Sequence, residues 1–218
     1  MEYNVEIVGK TVPLIEGITS ISDFLMYMAK VSNPEGQFTK TNLLDFLMRN
    51  NHWSPLEMAT IQIEIECPRD ISRQILRHTS ARFQEFSQRY AKVKNYTVRE
   101  VRRQDPKNRQ NSIDDMPPKD KREFEEDCRN IIAITDQMYS KWLDRGAAKE
   151  CARVFLPEGL TMSRLYMSAP IRTWVHYLDL REGNGTQKEH QIIATEIRRQ
   201  VIELEPELLG GYKDGRSS

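Results

Sequence analysis

The strictest pattern in the chain lies between Ile61 and Cys67, where Ile61, Ile63, Ile65 and Cys67 alternate with Gln62, Glu64 and Glu66. A period of two predicts a strand with one buried face, and Pro68 ends it. Asn4 to Pro13 alternates more weakly and reads as a first strand, with Gly9 as a turn or bulge. Ile18, Ile21, Phe24, Leu25 and Met28 recur at helical spacing, and Pro34 stops that helix. A second helix runs from Asn42 to Met48 through Leu43, Leu44, Phe46 and Leu47, and His52 to Glu57 follows as a loop. Beyond Pro68 the pattern predicts a short helix capped by Asp70 or Ser72. It carries Gln74 and Arg77, three apart and therefore able to face one pocket. Ser80 to Tyr90 then leaves the helix as a loop and strand.

From Ala91 to Lys119 the apolar periodicity is lost. Residues 92–110 hold seven Lys or Arg against two acidic residues. Such a run fits a nucleic-acid arm, a lid over an anionic ligand or an insertion loop, the last being the commonest. Pro117 and Pro118 open a long helix with Phe124, Cys128, Ile131, Met138 and Trp142 on one stripe, and Gly146 suits its C-terminus. Glu150 to Pro157 reads as a short helix, Thr161 to Ser168 as a strand, and Pro170 to Leu180 as a helix with proline in its first turn. After a loop at 181–185, Thr186 and Glu189 form a capping-box pattern for a last helix burying Ile193, Ile197, Val201 and Leu204.

Strands scattered among helices without βαβ alternation predict an α+β fold, a mixed or antiparallel sheet packed with several long helices. One domain spans 1–205, with 92–118 as a polar insertion loop and 206–218 as a loosely ordered tail. The charges balance, 32 basic against 32 acidic, which excludes a surface that is all nucleic-acid glove while permitting a local basic pocket. Cys67, Cys128, Cys151 and the four histidines show no metal spacing, so neither a zinc site nor a disulfide frame is expected. A reducing, cytoplasmic setting is expected. No run reaches membrane-spanning length and the first residues lack a signal-peptide layout. No Gly-x-Gly-x-x-Gly or P-loop is present, so any dinucleotide must be held by side chains.

Side chains of that kind crowd into Ser72–Tyr90, which carries Arg73, Arg77, Arg82 and Arg89 together with His78, Glu85 and Ser87. Guanidinium forks suit phosphate and carboxylate. Arg77-His78, seven residues beyond the next position, then Ser87, with Glu85, Arg89 and Tyr90 around it, resembles the signature of the flavin-dependent thymidylate synthases. Four further stretches keep that family's order: Ala29-Lys-Val-Ser32, His52-Trp-Ser-Pro-Leu-Glu57, Ala152-Arg-Val-Phe-Leu-Pro157, and Arg172 with Leu180-Arg181, Gln187 and Glu189. The resemblance covers about Ser20 to Leu204, and so makes this one catalytic domain.

The resemblance implies reductive methylation of dUMP at C5, with methylenetetrahydrofolate as carbon donor, NADPH as reductant and FAD as hydride relay. It assigns Arg181 to stabilise charge on the uracil ring. It gives dUMP binding to Gln74, Arg77, Glu85, Ser87, Gln88, Arg89, Arg153 and Arg181. FAD falls to Ser32, Ser54, Arg77, His78, Thr79, Glu85, Arg172, His176 and Gln187, and His52 lies by the folate and nicotinamide. A homotetramer with shared active sites is implied, in the cytoplasm or, for a viral chain, the host cytoplasm. Structural readings stand beside these: a core histidine bonded to backbone for His78, a helix-end arginine facing the dipole for Arg181. Ser87 resembles a nucleophile, but no general base accompanies it apart from His78, and it is read as binding. Cys151 is expected to be a small buried helix residue.

The chain departs from the family pattern at Thr79, which replaces an arginine that Arg82 could substitute, and at Gln84, Gln88 and Pro170. A related flavoenzyme acting on another pyrimidine nucleotide is therefore the second reading. A nucleic-acid-binding protein using 92–110 is the third.

Overall fold

The computed structural model describes residues 3–183 and 185–209. The chain enters through β1 (Asn4–Lys10), then α1 (Ile21–Ala29) and α2 (Leu43–Arg49). Ser20 caps α1, its Oγ accepting from the Asp23 backbone N–H at 2.9 Å. A 3-10 turn at Ser54–Glu57 replaces the expected loop and leads into β2 (Thr60–Pro68). Ile61, Ile63, Ile65 and Cys67 are all fully buried, worth about 1.5–3 kcal/mol for each large aliphatic side chain.

β2 is followed at once by α3 (Arg69–Ile75), then by β3 (Arg82–Glu85). Neither Asp70 nor Ser72 caps α3: Pro68 holds the cap position. Asp70 instead pairs with Arg99 at 2.9 Å and Ser72 turns toward Glu85 at 2.7 Å. The polar stretch forms a small hairpin, β4 (Arg103–Gln104) with β5 (Ser112–Ile113). Arg99 and Arg102 fold inward, whereas Arg103 and Arg109 stay exposed. Arg99 contacts Asp70 and Glu189, Arg102 contacts Glu189, and Arg103 pairs with Asp115. Val93 and Tyr96 tie the segment to the long helix α4 (Pro118–Asp144) around the buried Tyr139. Gly146, at φ +85°, ends that helix in the conformation glycine adopts most easily.

The expected apolar stripe of α4 is split. Cys128 is buried, whereas Phe124, Ile131, Met138 and Trp142 remain exposed. The face that this chain covers carries Cys128, Thr135 and Tyr139.

After α5 (Lys149–Ala152) come β6 (Met162–Pro170), α6 (Ile171–Arg181), α7 (Lys188–Leu204) and α8 (Pro206–Leu209). The sheet order is β1-β2-β6-β3, with antiparallel pairing throughout. The register shift between Ile7 and Gly9 is the bulge expected at Gly9. Helices α1, α2, α6, α7 and α8 all contribute side chains to the core with the sheet. The capping box at Thr186 and Glu189 does not form. Gln187 sits at the cap, the Thr186 hydroxyl donates to the Leu180 carbonyl at 3.2 Å, and Glu189 is drawn to Arg102.

The packed chain runs past Glu205. The Glu205 Oε1 accepts from the Ile21 N–H at 3.2 Å and from Lys10 Nζ at 3.0 Å, tying the end of α7 to α1 and β1. Leu208 and Leu209 are then 1% and 2% exposed. Of the tail expected to be loosely ordered from 206, residues 206–209 form α8 and pack with the core, and 210–218 lie outside the described residues. Leu208→Ala is expected to lower the unfolding free energy by about 2–5 kcal/mol, read from the urea midpoint. An unchanged midpoint would show that the fold closes at Glu205.

Candidate functional site

Two strand-to-helix transitions set the site. Pro68 follows the extended strand at φ −57°, ψ 144° and launches α3, while Pro170 at φ −66°, ψ 158° launches α6. Proline's fixed φ suits both positions, and neither helix needs a side-chain cap there. Arg181 is the last residue of α6 rather than the first of a loop. Arg77 lies just past the end of α3 and is exposed.

At the meeting of the two helices, Arg181 Nε donates to His78 Nε2 at 2.9 Å. A guanidinium can only donate, so His78 must accept there and carry its proton on Nδ1. His78 is therefore neutral, and it accepts from an arginine rather than from backbone. Burial, then the Arg181 charge, push its pKa down to about 4. Burial also lowers the pKa of Arg181, with the Arg77 charge adding to it. The His78 ring stands edge-on to Tyr177 at 4.8 Å. Tyr177 is fully buried and its hydroxyl meets His190 Nε2 at 3.0 Å. His190 Nδ1 faces Gln74 Oε1 at 3.3 Å, and Gln74 Nε2 donates to Gln187 Oε1 at 2.6 Å. Burial first, then Arg181 and His78, drive the His190 pKa down to about 3.

A second group lies on the other flank of α3. Glu85 Oε1 accepts from the hydroxyls of Ser72 at 2.7 Å and Ser163 at 2.9 Å, and Oε2 accepts from Arg73 Nη2 at 2.7 Å. Beyond Glu85 the chain turns at Ser87, whose Oγ accepts from the Arg89 N–H at 3.3 Å, and Gln88 is buried. Arg89 pairs with Glu150 at 3.1 Å. Arg153 follows three residues later at the start of a 3-10 turn and is exposed.

A third group surrounds the Ser54–Glu57 turn. Arg172 pairs with Glu57, and the His176 ring lies 4.4 Å from Trp53. His52 is exposed and meets Phe46 edge-on at 6.0 Å. Ser32, Ser54 and Thr79 are exposed. Arg82 donates to the backbone carbonyls of Thr79 and Ala81. Cys151, expected to be buried, is exposed because it sits on the outer side of the short helix α5.

Thus the structure joins Gln74 to Gln187 and His78 to Arg181 directly, and connects the two pairs through His190 and Tyr177. Among the described residues no hydrogen bond links that group to Glu85, Arg89 or Arg172. Sequence reasoning missed Ser72, Arg73 and Ser163 as the holders of Glu85, His190 as a partner of Gln74, and Tyr177 as the partner of His190. Ser163 on β6 gave no local signal, because only the β3–β6 pairing carries it to Glu85.

The family described as "Thymidylate synthase complementing protein" matches residues 16–207. A probable flavin-dependent thymidylate synthase of Paramecium bursaria Chlorella virus 1 is 41% identical, covering 93% of this chain and 95% of that one. A flavin-dependent thymidylate synthase of Synechocystis sp. is 44% identical over 80% of this chain and 81% of its own length. A UMP/dUMP methylase from Streptomyces cacaoi, in a crystal structure with 5-Br dUMP, superposes with a TM-score of 0.81 at 24% identity. It covers 95% of this chain and 93% of its own, and the likeness establishes the fold.

The two imidazoles give the site a pH signature. Their folded values lie below the ordinary 6.5, so the unfolded chain binds more protons as pH falls. The stability they confer is complete above 6.5 and is lost progressively toward about 4 for His78 and about 3 for His190. Urea midpoints are expected to drop between pH 7 and 5; equal midpoints would show that neither ring is held neutral. With the family match spanning nearly the whole chain and two relatives above 40% identity, this chain belongs to the flavin-dependent thymidylate synthases.

Proposed function

We propose that this chain is a thymidylate synthase that methylates dUMP at C5, with methylenetetrahydrofolate, NADPH and FAD as the other participants. The observation that carries the reading is Arg181. Its Nε is taken by a neutral histidine, and its terminal amino groups have no acceptor among the described residues. A half-buried guanidinium held in one orientation, with donors to spare, stabilises negative charge building on the uracil oxygens and N3. Because His78 is neutral, the charge offered to the ring belongs to Arg181 undiluted by a competing imidazolium. Gln74, beside it, supplies an amide of fixed orientation.

Phosphate binding falls to Arg89 and Arg153, two exposed guanidinium groups on the α5 edge, with the backbone of the Ser87–Gln88 turn. Glu85 has its oxygens occupied by Ser72, Ser163 and Arg73, so it acts by anchoring that turn. FAD, when bound, supplies the redox relay between reductant and methylene group. Donors that fit its anionic and carbonyl groups remain on this chain. Arg77 is exposed and has no carboxylate partner among the described residues, and His78 keeps its Nδ1–H. Arg172, His176, Ser54 and His52 line the 3-10 turn and fit the remaining part of the flavin and the folate.

Two features support a homotetramer with shared sites. The phosphate-binding and ring-binding residues form separate groups on one chain. The α4 helix also leaves Ile131, Ile134, Met138 and Trp142 exposed along one side, an apolar surface that a second copy would cover. No helix among the described residues is long and apolar enough to cross a membrane. A cytoplasmic setting is proposed from the unpaired cysteines Cys67, Cys128 and Cys151.

Three measurements test these readings. FAD-loaded protein reduced by NADPH under argon is expected to bleach faster when dUMP is present and to yield dTMP after methylenetetrahydrofolate is added. No flavin uptake would overturn the reading, and preferential turnover of UMP would move the substrate to the ribonucleotide. Arg181→Ala is expected to abolish dTMP formation while FAD stays bound; full turnover would remove Arg181 from the mechanism. Met138→Asp is expected to shift light scattering from tetramer toward smaller species, and an unchanged mass would exclude that face from the interface.

A further inference from the structure

The chain Tyr177–His190–Gln74–Gln187 has a direction, and the direction matters for what Gln187 offers to a ligand. A neutral imidazole has one donor and one acceptor nitrogen, and a side-chain amide has a donor end and an acceptor end. The four groups can therefore be satisfied in two opposite senses. In one, Tyr177 donates to His190 Nε2, His190 Nδ1–H donates to Gln74 Oε1, and Gln74 Nε2 donates to Gln187 Oε1. Gln187 then ends the chain with its NH2 free. In the other sense every link is reversed, and Gln187 ends the chain with a bare carbonyl oxygen.

The buried phenol chooses between them. Tyr177 is 1% exposed, and among the described residues His190 is the hydrogen-bond partner of its hydroxyl. In the reversed sense the phenol hydrogen would point into a dry interior without an acceptor, a loss that buried donors rarely bear. Ionisation offers no escape, because burial raises the Tyr177 pKa far above its ordinary value. Protonating His190 offers none either. A doubly protonated ring would turn a second donor toward the phenol, and burial together with Arg181 and His78 opposes the charge. Arg181, His78 and Tyr177 are the charged and titratable groups that face this ring. The donor sense thus runs outward from Tyr177 to Gln187.

Gln187 lines a cavity of about 630 Å³ between the β4–β5 hairpin and the first turn of α7, whose walls do not include Gln74, His78 or Arg181. We propose that Tyr177 and His190 are positioning residues which lock the Gln74–Gln187 amide pair so that Gln187 presents N–H donors, and Gln74 a single N–H and lone pair, to an acceptor-rich ligand. That ligand class is a pyrimidine nucleotide or flavin carrying carbonyl and phosphate oxygens. Neither residue touches it. The proposal rests on the synthase reading, in which Gln74 meets dUMP.

The test uses the FAD-loaded full-length protein with calorimetric titration of dUMP, thermal melting, and 15N spectra of the histidine rings. Wild-type protein that binds no dUMP overturns the synthase reading itself. If it binds, Tyr177→Phe is expected to weaken dUMP about tenfold, and to move His190 from its Nδ1–H form toward a mixture of tautomers. In a Gln74→Ala background, Tyr177→Phe is expected to cost no further affinity. Unchanged dUMP affinity in Tyr177→Phe, an Nε2–H form of His190 in the wild type, or additive losses in the double variant would each overturn the proposal. Should Tyr177→Phe fold poorly, His190→Asn serves instead, since its amide can still donate to Gln74. It is expected to retain dUMP affinity where His190→Leu loses it, and equal losses in both would count against the relay.

Discussion

The nine-residue antiparallel ladder between β2 and β6 is the constraint on which the rest depends. Thr60 pairs with Pro170 at one end and Pro68 with Met162 at the other. Each strand ends in a proline that turns the chain directly into a helix, so α3 and α6 leave from opposite ends of one rigid plank. α6 spans about 16 Å for its eleven residues, enough to carry Arg181 back along the sheet to His78 at the end of α3. The Arg181–His78 contact is therefore a consequence of strand register. A slip of one residue would turn the Ile61–Cys67 face outward and separate the two helix ends together.

Burial then decides the electrical character of the site. His78 and His190 are both held neutral by desolvation with a guanidinium nearby, which leaves Arg181 as the charge where α3 meets α6. The opposite solution appears at Glu85 and Glu189, two carboxylates kept in the interior by donors. Glu85 has two hydroxyls and Arg73, and Glu189 has Arg102 and Arg99. Removing one partner from such a cluster is more disruptive than its net worth implies, because the remaining group is left buried and unmet. The same arrangement accounts for two arginines of the basic stretch 92–110: Arg99 and Arg102 hold it against α3 and α7 through Asp70 and Glu189.

The candidate site residues of one chain fall into separate groups. The donors proposed to meet the pyrimidine ring sit where α3 meets α6, the guanidinium groups proposed to meet phosphate lie by α5, and the His52–Glu57 turn stands apart beside Trp53 and His176. An exposed apolar side of α4 accompanies this division. Both features fit the proposed assembly, in which surface left open on one copy would be completed by another.

Much of this was legible in the sequence. The period of two at Ile61–Cys67, the proline stops, Gly9, Gly146 and the helical stripes follow local rules of side-chain geometry, so they placed the strands and helices within a few residues. The motif around Arg77–Tyr90, with Arg153, Arg172 and Arg181, named the family because residue identity and spacing are linear information. What the sequence could not contain is who meets whom across distance. Ser163 reaches Glu85 through a strand pairing, His190 reaches Gln74 through the packing of α7 on α3, and Thr186 and Glu189 give up a cap for tertiary partners. Local propensity is worth tenths of a kcal/mol to about one per residue. A buried ion pair or orphaned donor weighs more, so where the two competed, the tertiary structure decided.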